Sequence, residues 1–125
     1  MLSCRARSMA SLPNVLICAG LALVFYSCIG DTPERLFHRP LDISGRWPDW
    51  PLAGPETEIL RPEREWEGAH LPLAASAIGA TGFANQLRDP ALHVEDGRVW
   101  LIYAGGGEAA LGLAQIDGID VPQPR

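Results

Sequence analysis

A stretch near the start of the chain is spelled a second time 77 residues later. Pro13-Asn14-Val15-Leu16-Ile17, Gly20, the run from Leu21 to Tyr26, and Gly30-Asp31 return as Pro90-Ala91-Leu92-His93-Val94, Gly97, Arg98 to Tyr103, and Gly107-Glu108. In both copies the glycine stands 7 positions after the proline, the tyrosine 13 and the glycine-acid pair 17. Spacing held this closely across two β-rich segments predicts one supersecondary unit used twice.

Within a copy the physics is that of a hairpin. Five residues rich in Val, Leu and Ile lead to a turn ending in glycine, and an apolar run closed by a tyrosine follows. In Glu95-Asp96-Gly97 the glycine accepts positive φ without steric cost, which suits a tight turn. The second strand (Leu23-Val24-Phe25-Tyr26; Trp100-Leu101-Ile102-Tyr103) lacks clean alternation, as expected of a strand covered on both faces. Third strands are expected over Arg35–Arg39 and Ala110–Ile116, and an outer one over Glu56–Leu60. Meanders in series predict an all-β fold of radial type, a partial β-propeller of about two antiparallel blades.

The 125 residues allow one domain at most. Blades run roughly 40 to 50 residues and a ring needs at least four, so the chain reads as a fragment or truncated relative of a larger propeller. The expected organisation is a disordered N-terminus over 1–11, a first blade over 12–61, a crossing loop over 62–86, a second, incomplete blade over 87–117, and a disordered tail over 118–125. Unpaired blade edges would favour self-association. The net charge of −5, with no clustered cations, argues against nucleic acid as a partner.

Cys4, Cys18 and Cys28 are odd in number and lack metal-ligand spacing, so reduced, structural thiols are expected. His38, His70 and His93 are too scattered to suggest a metal site, and Gly105-Gly106-Gly107 lacks the lysine that phosphate-loop chemistry requires. No cofactor is implied.

Residues 1–29 admit a rival reading. Arg5 and Arg7 ahead of an apolar stretch resemble a secretory signal, which would make this a small exported protein. The hairpin reading is preferred, because a signal has no reason to hold Pro13, Gly20, Tyr26 and Gly30 in register with a distant segment. Without export the protein is expected in the cytoplasm. The stretch is too short and interrupted for a membrane-spanning helix, so no membrane partner is expected. Between the copies, prolines and tryptophans (Trp47-Pro48-Asp49-Trp50-Pro51, Pro55, Pro62, Trp66) exclude regular helix.

Four strings carry a family resemblance: Val24-Phe25-Tyr26-Ser27 with Gly30-Asp31-Thr32-Pro33-Glu34-Arg35; Leu60-Arg61-Pro62-Glu63 with Trp66-Glu67-Gly68-Ala69-His70-Leu71-Pro72-Leu73; Gln86-Leu87-Arg88-Asp89-Pro90; and Tyr103 with Gly107-Glu108. In order and spacing they resemble the C-terminal part of five-bladed β-propeller proteins similar to glycoside hydrolase family 43 and its relatives, over roughly residues 12–117. The resemblance implies carbohydrate as the partner and acidic residues in a funnel acting on glycosidic bonds. The chain departs from the pattern at His70, at Ala74-Ala75 and at Leu12, where the later copy has Asp89, so catalysis by this chain alone is not expected. A non-catalytic carbohydrate-binding or self-assembling β module is the alternative.

Glycosidic cleavage places two carboxyl groups across the scissile bond, roughly 5 to 9.5 Å apart. Because a meander's connections alternate between its ends, Arg88, Asp89, Asp31, Arg35 and Glu108 are expected on one rim, with Glu95 and Asp96 on the other. Glu67 is the candidate proton donor, since Trp66 beside it could supply an apolar wall that raises its pKa. Asp89 is its candidate catalytic partner. Asp31, Arg35, Arg88, Glu108 and Trp66 are candidate substrate-binding residues. Each has a blander role to set beside this. Asp89 suits a turn or a pairing with Arg88, Asp31 and Glu108 suit local ion pairs, Glu67 suits a solvated loop, and Trp47, Trp50 and Trp66 suit plugs between blades.

Overall fold

The computed structural model describes residues 10–12, 14–18, 20–78 and 82–118. They form two antiparallel sheets. The first has β1 (Ala10–Leu12), β2 (Val15–Cys18), β3 (Leu21–Ser27), β4 (Leu36–Asp42) and β5 (Thr57–Leu60) in that order. The second has β6 (Leu87–Glu95), β7 (Arg98–Gly105) and β8 (Ala110–Ile116). The fold is all-β, and the only helix among the described residues is a single 3-10 turn at Glu65–Glu67.

Register shows the repeat directly. In β2–β3, Val15, Leu16, Ile17 and Cys18 lie opposite Val24, Leu23, Ala22 and Leu21. In β6–β7, Leu92, His93, Val94 and Glu95 lie opposite Leu101, Trp100, Val99 and Arg98, so every pair is displaced by the same 77 residues. The turn glycines match in conformation too, with φ of 78° at Gly20 and 72° at Gly97. Equivalence loosens at the next connection. Ser27 faces Leu36, whereas Ala104 faces Leu111, because the β7–β8 loop is two residues shorter.

The expected strand at Ala110–Ile116 and the outer strand ending at Leu60 are present, while the one expected at Arg35–Arg39 runs instead from Leu36 to Asp42. β1 is an addition that the repeat does not encode. It pairs with β2 through Ala10, Ser11 and Leu12, so two residues of the stretch expected to be disordered are strand. Residues 1–9 and 119–125, on which the remaining expectations of disorder fall, lie outside the described residues.

The sheets pack face to face. Leu16, Leu23, Phe25 and Leu36 of the first meet Leu87, Leu92, Val99, Leu101 and Tyr103 of the second. Phe25, Leu36, Leu87 and Leu101 are fully enclosed, each contributing on the order of 1.5 to 3 kcal/mol through removal of apolar surface from water. The apolar N-terminal stretch is thus strand over Val15–Cys18 and Leu21–Ser27, with Leu16, Leu23 and Phe25 in the core.

The two copies bury opposite faces. Leu16, Leu23 and Phe25 point into the core, but their equivalents His93, Trp100 and Ile102 point away from it. Conversely Leu92, Leu101 and Tyr103 are core residues, whereas their equivalents Val15, Val24 and Tyr26 lie on the outer face of the first sheet. Each of these strands is therefore covered by the other sheet on one face only, not on both as its unbroken apolar run predicted, and Ile102 stands 37% exposed on the uncovered side.

Candidate functional site

At one end of the sheet interface the connections of both sheets converge. The β3–β4 connection delivers Glu34, whose carbonyl accepts from the Leu87 N–H at 2.9 Å as β6 begins. Arg88 follows, buried at 5% exposure, and its Nη2 donates to Glu34 Oε2 at 2.8 Å and to the Ala77 carbonyl at 3.3 Å. Its Nη1 reaches Glu108 Oε1 at 3.4 Å. Glu34 is only 1% exposed and also accepts from Ser27 Oγ at 2.6 Å. A carboxylate this enclosed needs a fixed cation and further donors, and both are supplied. Burial pulls the Arg88 pKa down, but pairing with Glu34 and Glu108 outweighs it and leaves the guanidinium above its ordinary value.

Asp89 comes next and is exposed. Register slips between Arg88 and Ala91, a bulge in which Asp89 adopts φ of 54°. That is left-handed backbone, tolerated by aspartate better than by most residues yet costing about 1 kcal/mol or more. The bulge re-aims a side chain out of the ladder, as bulges at sheet ends do. Asn14, Phe25, Tyr26, Ser27, Glu34, Arg88, Asp89 and Glu108 line an open cleft of about 550 Å³ here. The arrangement offers carboxylates as hydrogen-bond acceptors beside aromatic side chains, with a buried cation holding Glu34 and Glu108 in place.

Of the residues expected on one rim, Arg88, Asp89 and Glu108 do share this cleft. Asp31 and Arg35 pair with each other at 3.7 Å but do not line it. Arg35 turns instead to Glu58 at 2.5 Å and lies over the Phe37 ring, 5.0 Å from its centre. Glu58 also accepts from Arg61, and this hydrogen bond is the main reason its carboxyl titrates below the usual range.

Glu67 and Trp66 sit elsewhere. Glu67 is 2% exposed, and its Oε1 accepts from the backbone N–H groups of Arg64 at 2.9 Å and Glu63 at 3.2 Å, closing the 3-10 turn. Its Oε2 accepts from the Tyr103 hydroxyl at 2.9 Å. The carboxylate is therefore enclosed rather than solvated, and it is not among the cleft residues with Asp89. Trp66 stacks on Tyr103 with ring centres 6.0 Å apart, and both crowd Gly112, where an added Cβ would come within 2.6 Å of the indole. Trp66 thus fills the space between loop and sheet. Trp47 and Trp50 do not plug sheets together; they pack edge to face on one another at 5.2 Å in an exposed loop.

Sequence reasoning missed Glu34. Its only signal was its place between Pro33 and Arg35 in a string that also supplied Asp31 and Arg35, and no local pattern marks a residue whose partner stands 54 positions away. A larger cleft of about 610 Å³ opens where β4 and β5 meet β8, but Leu23, Ile59, Leu60, Leu101 and Ile116 make it mainly apolar. His38 lines it, and burial lowers its pKa. Among the described residues no group of three His, Cys, Asp or Glu side chains is placed to hold a metal ion, and no helix is long and apolar enough to cross a membrane. Cys28 is a free thiol, its pKa raised by burial first and by Asp31 second.

Comparison with known proteins returns one informative relationship. The chain is 36% identical over 103 residues, 81% of its length, to an uncharacterized protein of Acanthamoeba polyphaga mimivirus, and spans 29% of that protein. No family model matches the chain, and no solved structure does.

Proposed function

We propose that this protein is a carbohydrate-binding β module, built like part of a glycoside-hydrolase-like propeller, whose sugar site is the cleft between Glu34, Arg88, Asp89 and Glu108. The observation that carries the reading is Asp89, an exposed carboxylate held in left-handed backbone at the lip of a cleft that already contains two ordered glutamates. Strain kept at an exposed polar residue points to use of that residue rather than to packing. Sugar hydroxyls donate to carboxylates, and Asp89 and Glu108 are the exposed carboxylates of this cleft.

Hydrolysis of glycosidic bonds remains the role of the larger family, and this chain alone is assigned binding without turnover. Glu67 is committed to Tyr103 and to the 3-10 turn and lies outside the cleft, so it is not placed as a proton donor opposite Asp89. Calorimetric titration with a panel of soluble oligosaccharides tests the proposal. Binding should be weakened by Asp89→Asn and by Glu108→Gln, with no aryl glycoside hydrolysed above background. Binding indifferent to both changes would move the site elsewhere, and turnover abolished by Glu67→Gln would restore the enzyme reading.

A further inference from the structure

The opposite-face burial of the two copies has an intermolecular counterpart. Inside one molecule, the face of the first sheet bearing Leu16, Leu23, Phe25 and Leu36 packs on the face of the second bearing Leu92, Val99, Leu101 and Tyr103. Each sheet therefore retains a face of the kind its neighbour has used. On the second sheet that remaining face carries Trp100, Ile102, Leu111 and Leu113, with Ile102 directly opposite Leu113 and Ala104 opposite Leu111. Leu111 is 79% and Leu113 65% exposed, although Leu36, which holds the place of Leu111 in the first sheet, is 0% exposed. On the first sheet the remaining face carries the half-buried Val15, Ile17, Val24 and Tyr26, with Arg39 opposite Val24 and the buried Phe37 opposite Tyr26; the four are the equivalents of core residues Leu92, Leu101 and Tyr103 and of Val94, which packs against the core.

We infer that a second copy of this chain docks on the outer face of the second sheet through the outer face of its own first sheet. The contact continues the packing already present inside each molecule, because the surfaces that meet are at equivalent repeat positions to those that form the core. Contiguous exposed apolar side chains on a sheet face mark an association surface rather than ordinary surface scatter. Since the two surfaces differ, the contact is head to tail, and it closes into a ring or grows into a filament as the rotation between copies dictates.

Light scattering on the full chain after size exclusion tests this, together with a mixing experiment that separates head-to-tail from symmetric docking. The wild type should be larger than one copy. Leu113→Lys spoils the second-sheet face and Ile17→Lys the first-sheet face, so each alone should be monomeric. Mixed in equal amounts, they should form a one-to-one dimer, since each still offers the intact face the other lacks. Circular dichroism checks the fold, and Leu111→Lys or Val15→Lys replaces either variant that fails to keep it. A monomeric wild type overturns the inference. So does a first-sheet variant that assembles like the wild type, or a mixture that remains monomeric.

Discussion

Tyr26 and Tyr103 hold equivalent places 77 residues apart, and each donates its hydroxyl to a glutamate, Glu56 and Glu67 respectively. Tyr103 does so inside the core, stacked on Trp66, and Tyr26 does so on the outer face of the first sheet, stacked on Phe37. The repeat therefore preserves a tyrosine–carboxylate contact while placing it in two different solvent environments.

That difference should be measurable. Burial first, and then the hydrogen bond to Glu56, push the Tyr26 phenol up to about 12; burial and Glu67 raise Tyr103 as well. Spectrophotometric titration should find no phenol ionising near the usual 10. Tyr103→Phe should cost about 1 to 3 kcal/mol in urea unfolding by removing a donor from an enclosed carboxylate. Tyr26→Phe should cost no more than about 1 kcal/mol, because water can replace the lost partner.

The Glu34–Arg88 pair should behave as a buried ion pair. Arg88→Met leaves Glu34 enclosed without its cation and should destabilise by about 3 to 5 kcal/mol. Combining it with Glu34→Gln should recover a large part of that loss, and a double-mutant cycle measured by urea unfolding gives the coupling.

Asp89 should separate binding from stability. Replacement by glycine relieves the left-handed backbone and should leave stability unchanged or raised by up to about 1 kcal/mol. The same change removes the carboxylate and should weaken oligosaccharide binding in calorimetry. A loss of stability with binding retained would reverse the assignment.

His38 supplies a pH dependence of known sign. Its pKa in the folded protein lies below the ordinary 6.5 because burial disfavours the imidazolium, so below about pH 6.5 the unfolded chain takes up a proton that the folded chain resists. The stability due to the neutral ring is present in full above that pH and is lost as pH falls below it. Thermal melts should show Tm falling on acidification through this window, with a shallower fall in His38→Leu.

Gly112 lies against Trp66 of the 3-10 turn, where an added Cβ would come within 2.6 Å of the indole. Gly112→Val should be destabilising by about 1 to 3 kcal/mol, since the added side chain would overlap both the Trp66 indole and the Tyr103 ring.

Local pattern was enough to specify the hairpins and the strand over Ala110–Ile116, because proline, turn glycine and closing tyrosine act within a few residues of one another. The same reasoning placed Arg88, Asp89 and Glu108 together, since strand direction alone determines which connections share an end. It did not find β1, which has no counterpart in the second copy, nor Glu34. Nor did it separate Glu67 from Asp89, because the position of the 3-10 turn depends on Tyr103 and Trp66 across the core. Which face of each strand turns inward was equally hidden: in Leu21–Tyr26 both sides are apolar, and a period of two cannot choose between them. Only the packing of one sheet on the other made that choice, burying Phe25 while leaving Ile102 at the surface, and with it decided that Glu34 and Glu67 are enclosed while Asp89 and Glu108 stay at the surface.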